Sequence, residues 1–282
     1  GVKHALATSS GTSAITLALM AAGAGPGDTV ICPAYTWIAT AHAAHILGCK
    51  IRVIDIEPSK PIMDTSQLEA TSGARAFVVP VHMNGHAVGI ENLRDKGYIV
   101  VEDAAQALGS KLDGALLGTS GHLGCFSFSV SKIIGSGQGG LLVTDSDELF
   151  AVASAARTHG LTDIFAPKYW HSAGHNFRFT DVMASILMTQ IPKLAEHIEH
   201  VRSIAKYYQE ALNGLENLTV VEHSTDEEFG PYVEARVPER LRNELVQFLE
   251  TKGIGARMAF PPIPSAKYLR LDPMLDTPNA EA

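Results

Sequence analysis

Lys132 closes the run Ser127-Phe-Ser-Val-Ser-Lys132, which leads into Gly135-Ser-Gly-Gln-Gly-Gly140. Lysines normally sit on solvated faces, so one among apolar and small residues stands out. A desolvated lysine has a depressed pKa and can form a Schiff base with an aldehyde. A surface lysine beside a glycine-rich loop gives the same letters. Ser129-x-x-Lys132 also matches the pattern of serine acyl-transfer enzymes, but no SDN or KTG partner follows. A second group is Val100-Val-Glu-Asp-Ala-Ala-Gln106, an apolar run ending in two carboxylates. In an open α/β sheet, ligands bind beyond the carboxyl ends of strands, where Asp103 can face a ligand cation; a solvated loop acid or a helix cap is the alternative. The third is Ser9-Ser-Gly-Thr-Ser13, ahead of an apolar helical pattern. Free N–H groups at a helix start hold anions, and a plain cap looks alike. The segment is neither a Walker A loop nor a GxGxxG fingerprint.

These groups need elements that bring them together. Strand candidates are Val30–Cys32, Ile51–Ile54, Ala76–Val79, Tyr98–Val101, Cys125–Phe128 and Gly140–Val143. Between them lie helix candidates Ser13–Ala22, Trp37–Leu47, Ile90–Lys96 and Asp147–His159. Short β-branched runs alternating with helices predict βα units around a mostly parallel, buried sheet. Thr180-Asp181 caps a long helix to about Leu212, with Pro192 as a kink or break. Beyond it lie an alternating run, Leu218–Glu222, a strand candidate, Pro231–Val237, and a helix from Pro238 to Lys252, after which Gly253-Ile-Gly255 leads into Met258–Phe260. We therefore expect an α/β fold with a large domain at residues 1–191 and a smaller α+β domain at 192–282. No internal repeat is visible.

The composition sets bounds. The 282 residues include 22 Lys+Arg and 30 Asp+Glu, a formal net charge of −8, with 46% hydrophobic and 18% charged residues. That is globular, and it offers no basic footprint for nucleic acid or an anionic membrane. No apolar run approaches the ~20 residues of a membrane span, and the first residues lack the order of a secretory signal. Cys32, Cys49 and Cys125 are scattered, so neither a disulfide framework nor a metal site is indicated, and a cytoplasmic location is expected.

A helix start for a phosphate, a strand-end Asp for a cationic ring nitrogen and a lysine for an aldehyde together describe pyridoxal 5′-phosphate (PLP). At that point the sequence resembles the DegT/DnrJ/EryC1/StrS aminotransferases, sugar aminotransferases of PLP fold type I. The matching segments are SSGTSA (9–14), PAYTWIATA (33–41), EDAAQALG (102–109), GCFSFSVSK (124–132), GSGQGG (135–140), RTHG (157–160) and HNFRFTD (175–181), in the family's order. The resemblance implies an aspartate-aminotransferase-like fold. It also implies transfer of an amino group from Glu or Gln to a keto sugar, nucleotide-linked, or to a keto cyclitol. Lys132 would carry the cofactor as a Schiff base and then move the proton. Asp103 would hold the pyridinium proton and Gln106 would contact the ring's 3-oxygen. Gly11, Thr12, Ser13 and Ser127 would hold the phosphate, and Trp37 would stack on the ring, although a core aromatic is the plain reading of that tryptophan. Asn176 would reach the neighbouring subunit's phosphate, implying a homodimer with shared sites; His159 and Arg178 also match but read as scaffold.

Gln138 stands where the family usually has Glu, and both ends are short against the family pattern, implying a chain truncated at both ends. Two other functions stay in view. A sugar dehydratase of the same scaffold would replace the lysine by histidine. A regulatory protein keeping the fold would show a broken lysine, aspartate or phosphate loop. Lys132, Asp103 and the 9–13 loop are intact. The acceptor is not legible; Val81–Gly85, Leu161–Gly174 and Arg257 are expected to shape it.

Overall fold

The computed structural model describes residues 1–71, 75–165, 169–170, 172–272 and 276–281. Its strands are β1 (His4–Thr8), β2 (Thr29–Pro33), β3 (Lys50–Ile54), β4 (Phe77–Val78), β5 (Ile99–Asp103), β6 (Lys111–Leu112), β7 (Ala115–Leu116), β8 (Leu123–Ser127), β9 (Gly140–Thr144), β10 (Thr219–Val220) and β11 (Ala235–Arg236). The helices are α1 (Gly11–Ala21), α2 (Ala39–Ile46), α3 (Glu91–Asp95), α4 (Asp147–Arg157), α5 (Asp181–Gln190), α6 (Leu194–Leu212), α7 (Glu239–Thr251) and α8 (Pro278–Glu281). Seven strands form one sheet in the order β1-β9-β8-β5-β4-β2-β3. Pairing is parallel from β8 through β3, and only β9 runs against its neighbours. The expected mostly parallel α/β fold is therefore present.

Alternation along each strand divides the core between two faces. Val30, Cys32, Phe77 and Val101 join Ile15, Leu17 and Leu19 of α1 in one cluster. Their strand neighbours Ile31, Val78 and Val100 join Leu93 of α3, Ile62 and Met63 in another. Helix α1 is buried along most of its length. Such a helix needs apolar residues all round, and its sequence, rich in Ala, Leu and Ile, supplies them.

Pro192 breaks the long helix as expected. A 3-10 turn at Ile191–Lys193 separates α5 from α6, because proline removes an intrahelical donor. Two details differ from the sequence reading. His4–Thr8 is a strand, paired along its length with β9. Lys111–Leu112 and Ala115–Leu116 form a small hairpin. Met258–Phe260 has no regular secondary structure. Pro261 and Pro262 follow it and offer no N–H, and Phe260 instead packs against Tyr35 and Trp37.

The C-terminal segment returns to the sheet beside β3. Ile263 N–H donates to the Ala34 carbonyl (2.7 Å) and Asp272 N–H to the Ile51 carbonyl (2.7 Å). Asp55, buried, accepts from the N–H groups of Asn279 and Ala280 at 2.9 Å each. These bonds tie α8 to the edge of the large sheet.

Candidate active site

Strand ends and one helix start converge at the carboxyl edge of the sheet. Strand β5 delivers Asp103, whose last ladder partner is Cys125 of β8. Asp103 is 5% exposed. Its Oδ2 accepts from Thr40 Oγ1 (2.8 Å), and its Oδ1 from the Ala105 N–H (3.1 Å). Burial raises its carboxyl above the usual range, against the opposing pull of Thr40, Ala105, Lys132 and His82. A buried carboxylate with raised proton affinity is a receptor for a cation or a shared proton.

Lys132 lies in the turn after β8, half-buried, with its N–H on the Ser129 carbonyl (3.1 Å). Burial lowers its ammonium below the ordinary lysine value, and Arg257 pushes the same way while Tyr232 and Asp103 oppose. Lys132 and Asp103 thus feel one another across the site. A lysine of lowered pKa is the reactive kind, because its neutral amine is accessible.

Helix α1 begins beside the end of β8. Ser10 caps it in extended backbone and accepts the Ser13 N–H at 3.0 Å. Ser13 Oγ lies 2.9 Å from the hydroxyls of both Ser9 and Ser10. The first N–H groups of the helix, at Gly11 and Thr12, have no intrahelical acceptor and point out of the N-terminus. Gly11 is needed here for space: a Cβ on it would stand 2.9 Å from the Cβ of Ser127 and 3.3 Å from its Oγ. Gly11, Thr12, Ser13 and Ser127 therefore form one cradle of N–H and hydroxyl groups.

Gln106 is buried, and its Oε1 accepts the Asn84 N–H (2.9 Å). Trp37, 56% exposed, meets Phe260 edge-on with ring centroids 5.3 Å apart. Asn176 is exposed and bridged to Thr158, and its Oδ1 accepts from Arg178 Nε (2.8 Å), while the next residue, Phe177, accepts the Ser9 N–H with its carbonyl (2.8 Å). Arg178 bridges to Thr8, and His159 holds a positive φ of 58°. Gln138 is exposed, its carbonyl accepting from Ser136 Oγ (2.7 Å). In the 161–174 segment Trp170 is 74% exposed, and His171 lies outside the described residues.

The structure adds residues that the sequence reading passed over. Thr40, one turn along α2 from Trp37, is the hydroxyl on Asp103. No sequence signal marks this contact, which spans 63 positions. Glu102 is fully buried. It accepts from His82 Nε2 (2.8 Å) and from the N–H groups of Gly118 (2.9 Å), Ser120 (2.8 Å) and Gly121. Burial raises its carboxyl, but His82 and these backbone donors win and hold it below its ordinary value. This pinned carboxylate fixes the strand end that carries Asp103. Tyr232 donates its hydroxyl to Ser131 Oγ (3.1 Å), next to Lys132. Arg257 stands over the rings of Tyr232 (5.5 Å) and Phe260 (5.6 Å). No sequence signal marks the Tyr232 contact, which spans 101 positions.

Fold and site together define a PLP-dependent aminotransferase of fold type I. The cradle suits a phosphate, the buried Asp103 a protonated ring nitrogen, and Lys132 an aldehyde. The chain belongs to the DegT/DnrJ/EryC1/StrS aminotransferase family, which matches it over residues 1–282. It is 35% identical over 271 residues to a pleiotropic regulatory protein of Geobacillus stearothermophilus, covering 93% of this chain and 71% of that protein. It is 33% identical over 275 residues to the GDP-perosamine synthase of Caulobacter vibrioides, covering 93% and 73%. Among solved structures, DesV of S. venezuelae in complex with a ketimine intermediate superposes with a TM-score of 0.89 at 29% identity. The match covers 99% of this chain and 76% of that one.

Proposed function

We propose that the chain transfers an amino group from Glu or Gln to a keto sugar, nucleotide-linked, or to a keto cyclitol. The carrying observation is geometric: buried Asp103, its oxygens held by Thr40 and the Ala105 N–H, ends the strand beside the one whose last residue, Ser127, packs on Gly11 at the start of α1, with Lys132 in the turn that follows. The GDP-perosamine synthase similarity supports a sugar acceptor. Retention of Lys132 speaks against the dehydratase alternative. The intact lysine, aspartate and cradle favour catalysis over a purely regulatory role, despite the regulatory relative.

Bound PLP supplies an aldehyde for the amine and a protonated ring that accepts the electron pair left when Cα loses its proton. Lys132 Nζ is the amine that would hold the aldehyde, with loss of water. Once freed by the amino donor, it would be the base that takes the proton from the donor's Cα, and the acid that returns a proton when the amine passes to the acceptor. Asp103 would keep the proton at the ring nitrogen, with Thr40 and the Ala105 N–H holding its oxygens in place. Gln106 would donate to the 3-oxygen, Gly11, Thr12, Ser13 and Ser127 would hold the phosphate, and Trp37 would cover the ring face.

The proposal includes a homodimer in which Asn176 donates to the partner's phosphate. Its exposure supports a role across an interface. So do the exposed apolar residues Val182, Ile186 and Met188 on the neighbouring α5. The division into domains at 1–191 and 192–282 and a cytoplasmic location belong to the same reading. The first is supported by the helix break at Pro192, the second by three free, buried cysteines. The test is a panel of keto sugars and keto cyclitols with ¹⁵N-labelled Glu or Gln, read by mass spectrometry. Labelled amine in a sugar product supports the proposal; no transfer to any keto acceptor by PLP-loaded protein rejects it.

A further inference from the structure

Asn84 sits at the centre of the loop after β4, 2% exposed, with a positive φ of 47°. All four of its hydrogen-bonding functions are engaged. Its N–H donates to Gln106 Oε1 (2.9 Å), and its carbonyl accepts from His223 Nε2 (2.8 Å). Its Nδ2 donates to the Tyr232 carbonyl (3.0 Å), and its Oδ1 accepts from the Tyr232 N–H (3.1 Å). Tyr232 in turn donates its hydroxyl to Ser131, the neighbour of Lys132.

We propose that Asn84 is a positioning residue that sets which way the Gln106 amide faces the site. This rests on the reading of Gln106 as the contact to the cofactor's 3-oxygen. A glutamine amide turns in a broad, nearly two-fold well, so alone it presents oxygen or nitrogen with little preference. The Asn84 N–H removes that freedom. It takes Oε1 as acceptor and turns the Nε2 donors, which have no partner among the described residues, toward the other side. The opposite orientation would set one oxygen against another.

Two conditions keep the Asn84 N–H aimed. One is the left-handed backbone, which Asn tolerates and Ala resists. The other is the two-way tie to Tyr232. The segments fit without slack: a Cβ on Gly85, at φ +81°, would collide with the Phe229 carbonyl, and one on Gly230 would collide with the Asn84 carbonyl. Residues 223–232 therefore hold the loop that orients Gln106, and through Tyr232 and Ser131 they also reach the Lys132 turn.

The test compares Gln106→Leu, Asn84→Gly, Asn84→Ala and the Asn84→Gly/Gln106→Leu double variant. The readout is the pH titration of the cofactor's visible absorption band in PLP-loaded protein. Without its donor the 3-oxygen is more basic and keeps its shared proton to higher pH, so Gln106→Leu should raise the midpoint by about one pH unit, tenfold in proton affinity. Asn84→Gly keeps the left-handed backbone and loses only the tie. It should move the midpoint the same way by at least half as much, with Asn84→Ala moving it further. The double variant should match Gln106→Leu alone. In the PLP-free protein, hydrogen exchange over residues 103–110 should quicken in Asn84→Gly. A shift with Gln106→Leu but none with Asn84→Gly overturns the proposal and leaves the Gln106 reading standing. No shift with Gln106→Leu removes both.

Discussion

Replacing Thr40 with Val deletes one hydroxyl and keeps the side-chain shape. The hydroxyl donates to Asp103 Oδ2 at 2.8 Å in a buried setting. Hydrogen bonds to charged groups contribute about 1.5–3 kcal/mol. At about 1.36 kcal/mol per decade, that is roughly a ten- to hundredfold change in proton affinity. Thr40 is among the groups opposing the upward push of burial on Asp103. Its loss therefore raises the carboxyl further, so Asp103 is more readily protonated and competes for the proton that should stay on the ring nitrogen. With PLP saturating, kcat/KM of Thr40→Val should fall about tenfold near neutral pH. The acid limb of the pH–rate profile should move to higher pH, because Asp103 must be ionised to work. Thr40→Ser, which keeps the hydroxyl, should restore most of the rate. A Thr40→Val enzyme within about twofold of the parent across the profile, with an unmoved acid limb, would refute the role assigned to this contact.

Gly11→Ala should weaken PLP retention by about tenfold or more, some 1.4 kcal/mol, because the new Cβ stands 2.9 Å from the Ser127 Cβ and forces the cradle apart; equilibrium dialysis checks it. His86 is fully buried with no hydrogen-bond partner among the described residues for either ring nitrogen, the Glu228 carboxylate standing 3.9 Å from Nδ1, and burial, with His223, Lys60 and Arg236, lowers its pKa to about 3. The unfolded chain takes this proton near pH 6.5 and the folded chain refuses it, so stability falls as pH drops through that window, by about 2 kcal/mol between pH 7.5 and 5. Urea melts of His86→Leu at both pH values should show that slope flattened. Asn176→Ala should lower PLP retention and make activity sensitive to dilution; a fully active monomer, by light scattering alongside assay, contradicts the shared site.

The sheet was legible because its strands are buried on both faces and so read as short apolar runs between Gly and Pro. Six of them were anticipated within a few residues. β1 was not, since His-Ala-Leu-Ala-Thr has little β-branched content and becomes a strand only through its ladder with β9. Lys132, Asp103 and the 9–13 loop stood out as candidates because each lies where a strand meets a turn or helix, whereas Gln106 entered only through the family resemblance. Thr40, Tyr232 and Asn84 escaped notice for a different reason. Their contacts join segments up to 148 positions apart, and a hydroxyl or an amide carries no sign in the sequence of the partner it will meet. Asn84 lies in the Val81–Gly85 segment expected to shape the acceptor, but what that segment grips is decided by tertiary packing.

The most direct measurement is borohydride reduction of the PLP-loaded protein followed by peptide mass spectrometry. The account predicts a single pyridoxyl adduct on Lys132, loss of the visible band and loss of activity in parallel. An adduct on another lysine, or a visible band that borohydride leaves intact, would contradict it.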